Sequence, residues 1–309
     1  MIRLLLLGFL LLPASVQGYS LSPQQIAPGV YMFEGATEHF TRDNKGDIAN
    51  TGFIVGEDGV LVFDTGPSRN YGQSMRLAIA TVTDKPVVAV YVSHHHPDHF
   101  LGNQAFGDVP IHALEHTIET IRRDGDAVTD SLYRLVGTPM AGTEPVEPGE
   151  LVTLGRQTVA GRDIELIAAG GHGGDGHADL MLLDHASGVL FAGDLVFHER
   201  APTTPNAELG QWHDALDRIE ELDFRVLVPG HGPPARGPEP VQQTRDYLRW
   251  LEEHLHEAAA AGLDAAEVMY LDLPDRFQHM GVLEQEYRRS VAHLYPDIER
   301  ATLRDVREP

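Results

Sequence analysis

The sequence predicts an α/β fold in which several buried strands end in polar side chains. One observation is the continuous apolar, β-branched run at residues 86–92, typical of a strand buried on both faces. The histidine-rich stretch SHHHPDHFLGN follows it directly. Apolar runs that end in an Asp or a His recur at residues 188–194 and 224–231. Because open α/β sheets bind ligands at the carboxyl ends of their strands, this order predicts a site at one sheet edge.

The N-terminal part of the chain predicts short strands joined by tight turns. Residues 30–33, 52–55 and 60–63 are rich in β-branched and aromatic residues, and Pro-Gly and Glu-Asp-Gly sequences punctuate them. Residues 36–50 are polar and show no period. We expect them to form a mobile loop that makes one wall of the active-site mouth.

Helical spacing appears at residues 71–82 and again in a segment that would cover the sheet, with Trp212, Leu216 and Ile219 on one face. Another apolar strand, residues 164–167, runs into the glycine-rich loop GGHGGDGH. Residues 235–240 have the composition of a linker, and helical patterns follow at 241–261 and 283–295. We therefore expect a main domain over residues 19–237 and a helical C-terminal extension over residues 238–309 that packs against it.

The first 18 residues have the pattern of a secretory signal peptide. Arg3 precedes an apolar run at residues 4–12, which is too short to span a bilayer, and small residues follow Pro13. We place the cleavage after Gly18, so the mature protein is expected to be periplasmic or secreted. No later segment approaches about 18 unbroken apolar residues, so no membrane span is expected after processing.

Composition narrows the classes of partner and of metal ligand. The formal net charge of −23 argues against nucleic acid and anionic membranes as partners, because both require a basic face. The chain contains no cysteine, so thiolate sites are excluded and nitrogen and oxygen atoms must hold any metal ion.

The histidine cluster itself suggests two metal ions. Residues two apart in an extended segment point the same way, so His94 and His96 can reach one ion while His95 points elsewhere. Asp98 and His99 follow the bend that a proline imposes and can reach a second ion beside the first. We interpret His95 as a packing residue.

Four motifs together carry a family resemblance. They are His94-x-His96-x-Asp98-His99, Phe63-Asp-Thr-Gly66, Gly193-Asp194 and Pro229-Gly-His-Gly232. The chain resembles the metallo-β-lactamase superfamily of αββα hydrolases over about residues 24–237. The resemblance implies a four-layer αββα sandwich, to which the helical C-terminal extension is appended.

The resemblance also implies a set of ligands for two zinc ions, with iron and manganese as weaker alternatives. The first ion would be bound by His94 and His96, the second by Asp98, His99 and His231, and both by a bridging Asp194. Asp64 would support the site without binding metal. The remaining first-site ligand lies in the GGHGGDGH loop, where His172 is favoured and His177 and Asp175 stay open because the loop carries an insertion.

The resemblance implies that the protein hydrolyses a small carbonyl substrate, which could be an ester, lactone, thioester or amide. The nucleophile would be a hydroxide that bridges the two metal ions, and Asp98 and Asp194 would be the catalytic carboxylates. Residues 187–219, the exported chain and the helical tail resemble more narrowly the secreted quinoprotein relay system zinc metallohydrolases, which implies a periplasmic quinoprotein partner. Two alternatives stay open: a β-lactamase, and a non-hydrolytic metal-binding accessory protein.

Overall fold

The computed structural model describes residues 18–305 and shows two β-sheets packed face to face, with helices covering both outer faces. The predicted four-layer αββα architecture with C-terminal helices is confirmed. The predicted signal peptide lies outside the described residues except for Gly18.

Seven strands form the first sheet in chain order, with antiparallel pairing from β1 to β4 and parallel pairing from β4 to β7. They are β1 (Gln24–Ala27), β2 (Val30–Phe33), β3 (Thr51–Val55), β4 (Val60–Phe63), β5 (Val87–Tyr91), β6 (Ile111–Ala113) and β7 (Glu150–Leu151).

Five strands form the second sheet in the order β12-β11-β10-β9-β8, and only the β11–β12 pair is parallel. They are β8 (Gly155–Val159), β9 (Arg162–Ala169), β10 (Asp179–Asp184), β11 (Val189–Phe197) and β12 (Val226–His231).

The helices complete the outer layers. They are α1 (Arg69–Val82), α2 (Pro97–Phe100), α3 (Glu115–Val136), α4 (Leu209–Glu220), α5 (Glu239–Ala260), α6 (Ala265–Val268) and α7 (Leu283–Asp305). Among residues 18–305, no helix combines the length and the apolar character needed to cross a bilayer.

Alternation along each strand explains why the sandwich has three cores. In β4, Val60 and Val62 pack with α1 and α3 on the outer face, whereas Leu61 and Phe63 pack between the two sheets. Strand β11 alternates in the same way, because Phe191 faces the first sheet while Leu190 joins the core under α4, α5 and α7. A strand with apolar residues on both faces therefore reads as a continuous apolar run, as residues 189–192 of β11 do.

The predicted elements coincide well with the observed ones. The predicted strands 30–33 and 60–63 are β2 and β4, and the helix predicted over 71–82 begins two residues earlier, where the Ser68 hydroxyl caps it by accepting from the amide of Tyr71. The sequence interpretation missed α3, a helix of 22 residues, and strand β10.

The C-terminal helices share a core with the second sheet. Tyr247, Leu248 and Leu251 of α5 are fully buried in the same cluster as Leu195 of β11, and the buried Tyr287 of α7 packs there too. In the segment predicted as a linker, Ala235 exchanges two backbone hydrogen bonds with Leu227 of β12, and α5 begins at Glu239.

Candidate metal centre

Strand ends and two loops bring the predicted ligands together at one edge of the sandwich. His94 follows β5, and the turn at Pro97 starts α2, which carries Asp98 and His99. His231 is the last residue of β12, the parallel partner of β11.

Asp194 lies inside β11, at a point where the strand is irregular. The register of β11 against β12 shifts between Phe191 and Gly193 and again between Gly193 and Phe197. Gly193 has a φ of 54°, a left-handed conformation that glycine adopts at little cost. This irregularity places the Asp194 carboxylate among the histidines.

The seven residues form two groups of possible ligands. His94, His96, His172 and Asp194 make the first group, and Asp98, His99 and His231 make the second, with ligand atoms in each group within 4.8 Å of one another. Asp194 lies between the groups, since its Oδ2 is 3.2 Å from Nε2 of both His172 and His231. Its Oδ1 is 3.1 Å from Nε2 of His99.

The chemistry of this donor set fits divalent metal ions. Nε2 of His94 is buried and has no hydrogen-bond partner in the structure, and the buried Nε2 of His99 and Oδ1 of Asp194 have none besides their contact with each other. Buried polar atoms without partners are costly, and imidazole nitrogens with carboxylate oxygens are ligands that zinc accepts. The residues present therefore suit the two ions that the sequence motifs imply.

Of the three loop residues left open by the sequence, the structure places only His172 in the first group. The His172 ring is fully buried, and its Nε2 lies 3.0 Å from Nδ1 of His96. His177 is exposed and lines a different surface cleft with His116. Asp175 is also exposed, and its carboxylate accepts a hydrogen bond from Gln211.

A buried aspartate holds the loop that carries His172. The carboxylate oxygens of Asp179 accept hydrogen bonds from the amide of Gly173 at 3.1 and 2.9 Å. Burial raises the pKa of Asp179 to about 6, although His172 and the Gly173 amide oppose the change. The sequence interpretation did not identify Asp179, which is the first residue of β10.

Asp64 supports the second group, in the position that the motifs suggested for it. Its Oδ1 accepts from the amide of Ser93 at 2.7 Å, and its Oδ2 lies 2.8 Å from Nδ1 of His99. Asp64 is fully buried with a φ of 59°, a left-handed conformation that aspartate tolerates better than most residues.

In His231 and His96, one ring nitrogen lies within hydrogen-bond distance of a group that belongs to neither ligand group. His231 Nδ1 donates to the carbonyl of Ile48 at 2.7 Å, and His96 Nε2 lies 3.0 Å from Oδ1 of Asn206. Such bonds fix the orientation of an imidazole ring and select which nitrogen can bind metal. His95 lies outside both groups, and its ring is 5.9 Å from that of His116.

Burial and neighbouring charges set the protonation of the site. Burial, reinforced by adjacent imidazoles, holds the pKa of His94 well below its usual value and lowers that of His96 to about 4. Burial would lower the pKa of His99 as well, but the carboxylates around it, above all Asp194, outweigh burial and raise it. His94 and His96 are therefore neutral at pH 7, the form in which imidazole binds metal.

A cavity of about 200 Å³ opens beside the two groups. His39, Phe40 and Ile48 line it, so the expectation that the 36–50 loop forms a wall of the mouth is confirmed. Two residues of its lining, Arg200 and Arg289, were not identified from sequence. Arg289 lies on α7, far along the chain from every predicted ligand.

Curated relatives include two hydrolase-like proteins. The chain is 23% identical over 285 residues to a linear primary-alkylsulfatase of a Pseudomonas species, covering 78% of this chain and 53% of that protein. It is 26% identical over 225 residues to a beta-lactamase-like protein 2 homolog of Caenorhabditis elegans, covering 69% of this chain and 68% of that protein. The chain thus spans about half the length of the alkylsulfatase.

Solved structures share the fold. A metallo-beta-lactamase from Pontibacter korlensis superimposes with a TM-score of 0.60 at 21% identity, covering 74% of this chain and 99% of that one. A sec-alkylsulfatase from Pseudomonas sp. superimposes with a TM-score of 0.66 at 19% identity, covering 89% of this chain and 50% of that one. The family model of the metallo-beta-lactamase superfamily matches residues 44–231, more than half of the chain. The chain therefore belongs to the metallo-beta-lactamase superfamily.

Proposed function

We propose that the protein is a dinuclear zinc hydrolase that cleaves a small carbonyl ester, lactone, thioester or amide. The observation that carries the proposal is the position of Asp194, which lies within 3.2 Å of ligand atoms from both groups and lines the cavity. A carboxylate in this place can join two ions into one centre.

The residues of each group have distinct tasks in this proposal. His94, His96 and His172 would hold the first ion, Asp98, His99 and His231 the second, and Asp194 both. A pair of bound zinc ions supplies an activated water at neutral pH and a Lewis acid for the substrate oxygen. No serine or cysteine nucleophile is then required.

The chain's own groups orient the ligands and exclude water behind them. Asp64 and Ile48 fix the outward nitrogens of His99 and His231, and Asn206 does so for His96. Because the contacts of Asp64 and Ile48 are buried, the rings of His99 and His231 are held in place before a substrate arrives.

A second candidate is hydrolysis of alkyl sulfate esters. The similarity to two alkylsulfatases favours this candidate. The structural match to the sec-alkylsulfatase covers 89% of the chain, whereas the family model matches only residues 44–231. β-Lactam hydrolysis is a third candidate, supported by the fold shared with a metallo-beta-lactamase.

A substrate panel separates these candidates. Zinc-loaded protein is assayed with 4-nitrophenyl acetate, an acyl lactone, an acyl thioester, a β-lactam and a primary alkyl sulfate. We expect hydrolysis of a carbonyl ester, lactone or thioester that a chelator abolishes and added zinc restores. His94→Ala should abolish it, whereas the exposed His279→Ala should not. Protein that binds zinc but hydrolyses no member of the panel would contradict the proposal.

The setting that we propose is the periplasm or the exterior, near a quinoprotein dehydrogenase. It rests on the apolar run at residues 4–12 and on the narrower resemblance carried by residues 187–219. N-terminal sequencing of protein recovered from an exporting cell tests it directly. A chain beginning at or near Tyr19 is expected, and a chain that retains Met1 would contradict export by this route.

A further inference from the structure

The cavity beside the metal ligands has a second polar region. Besides His96, Asp98, Asp194 and His231, its polar lining consists of His39, Arg200, Thr203, Asn206 and Arg289. At about 200 Å³ the cavity is smaller than the 300–1,000 Å³ typical of sites for drug-sized ligands. It therefore suits a small molecule or the head group of a longer one.

Arg200 is buried with much of its hydrogen-bonding capacity unused. Its side chain is 2% exposed, its Nη1 donates to Thr203 Oγ1 at 3.3 Å and its Nη2 to Glu286 Oε1 at 3.4 Å. Its Nε is buried and has no partner. A guanidinium has five donors in a fixed fork, so Arg200 can donate to a further oxygen without giving up either bond.

Arg289 shares the same counter-ion. Glu286 is fully buried, and its Oε1 lies 3.0 Å from Nη1 of Arg289 and 3.4 Å from Nη2 of Arg200. One carboxylate thus faces two guanidinium groups. The nearby His39 adds no charge at neutral pH, because burial lowers its pKa although Glu286 opposes the change. The cluster therefore carries an excess of one positive charge beside the cavity.

Arg289 is also accessible to a ligand. Its side chain is 43% exposed, whereas its counter-ion Glu286 is not among the residues that line the cavity. Arginine forks bind carboxylates and sulfates through paired, charge-assisted hydrogen bonds. Asp98 and Asp194, the carboxylates that line the cavity, belong to the two ligand groups, so the oxyanion of a ligand can serve as the second counter-ion of Arg200 and Arg289.

We propose that Arg289 and Arg200 bind an oxyanion group of the substrate, a carboxylate or a sulfate, while the bond to be cleaved lies at the metal ligands. This inference rests on the proposed hydrolase function and narrows its substrate to anionic esters. It also gives α7, which lies outside the family match, a role in specificity.

A matched pair of esters measures the preference. We compare 4-nitrophenyl hemisuccinate with 4-nitrophenyl methyl succinate, which differs only in the methylated carboxylate. The wild-type enzyme should favour the anionic ester by about tenfold or more in kcat/KM, as expected for a lost hydrogen bond to a charged group. Arg289→Gln should reduce that ratio by about tenfold. Arg289→Lys, which keeps the charge but not the fork, should give an intermediate ratio.

Arg288 provides the matched control. It neighbours Arg289 on α7, has a similar exposure of 46% and pairs with Glu284 outside the cavity. Arg288→Gln should leave the ratio unchanged. Equal kcat/KM values for the two esters in the wild type would overturn the proposal. So would an equal loss of the anionic preference in Arg289→Gln and Arg288→Gln.

A binding measurement keeps this test separate from the proposed hydrolase activity. Chelator-treated protein is titrated calorimetrically with succinate and with methyl sulfate. Binding that Arg289→Gln weakens about tenfold and Arg288→Gln does not would support the proposal, and the better ligand identifies the oxyanion. No binding of either anion would overturn it. If both anions bind as expected but neither ester is hydrolysed, the hydrolase proposal fails and the anion site stands.

Discussion

Nδ1 of His99 lies 2.8 Å from Oδ2 of the fully buried Asp64, which also accepts hydrogen bonds from Ser93. This contact directs the opposite nitrogen, Nε2, towards Asp194 at 3.1 Å. The Ser93 hydroxyl, 2.7 Å from Oδ2 of Asp64, also lies 2.9 Å from Nδ1 of His94. The Asp64 carboxylate thus orients the imidazole of His99 directly and is linked to His94 through Ser93.

Asp64→Asn should therefore weaken metal binding without changing the ligands. Asparagine also tolerates the left-handed backbone at this position, so the fold should be kept. Loss of such a supporting carboxylate typically lowers metal affinity by about 10- to 100-fold, and we expect that effect on the second ion. Zinc titration against a competing chelator measures it, with the exposed Asp126→Asn as control. Equal affinities in both variants would contradict the role of Asp64.

The loop histidines offer a direct comparison of two residues five positions apart. His172→Ala should lower the zinc content by about one ion per chain, because a buried ligand of the first group is lost. His177→Ala should not change it, since His177 is exposed and lies outside both groups. Metal analysis by mass spectrometry after desalting gives the answer. A loss in the His177 variant alone would mean that the loop rearranges when metal binds.

Strand β9 takes part in a buried ion pair with β10 and an exposed ion pair with β8, and the two should contribute differently to stability. Arg162 binds the fully buried Asp184, with Nε 3.1 Å from Oδ1, whereas Arg156 binds Asp163 at the surface. Arg162→Ala leaves a buried carboxylate without its counter-ion and should cost about 3–5 kcal/mol of unfolding free energy. Arg156→Ala should leave the free energy of unfolding nearly unchanged, because its ion pair lies in water. Urea unfolding compares them, and equal losses would contradict this interpretation.

Asp47, in the loop that forms a wall of the cavity, should make stability depend on pH. Burial raises the pKa of Asp47 from 3.8 to about 7, with Lys45 opposing the change. The folded state then binds more protons than the unfolded state between about pH 4 and 7, so this contribution to stability falls as pH rises. The difference in unfolding free energy between Asp47→Asn and wild type, measured by urea unfolding, should therefore shift in favour of the variant as the pH is raised from 4.5 to 7.5. A constant difference would argue against the raised pKa.

The edge that carries the candidate ligands was predictable because buried strands leave a strong sequence signal. The apolar runs before His94, Asp194 and His231 are long, and each ends at a polar residue. Helix α3 was missed because polar residues dominate its sequence and Gly125 interrupts it, although its buried face packs on the first sheet.

The remaining site residues depend on tertiary contacts that spacing does not encode. The sequence favoured His172 without excluding His177 and Asp175, whereas the structure brings His172 into the first group and shows Asp179 bonded to the glycine-rich loop beside it. Arg289 reaches the cavity only because α7 packs beside the second sheet. Neither feature has a local sequence signal, so neither could be read from the chain alone.

The metal content of the purified protein tests the central claim most directly. Zinc, iron and manganese per chain are measured by mass spectrometry after gentle desalting, on protein shown to be folded. The arrangement of two ligand groups joined at Asp194 predicts about two zinc ions per chain. One ion or none bound by folded protein in excess zinc would contradict a dinuclear centre.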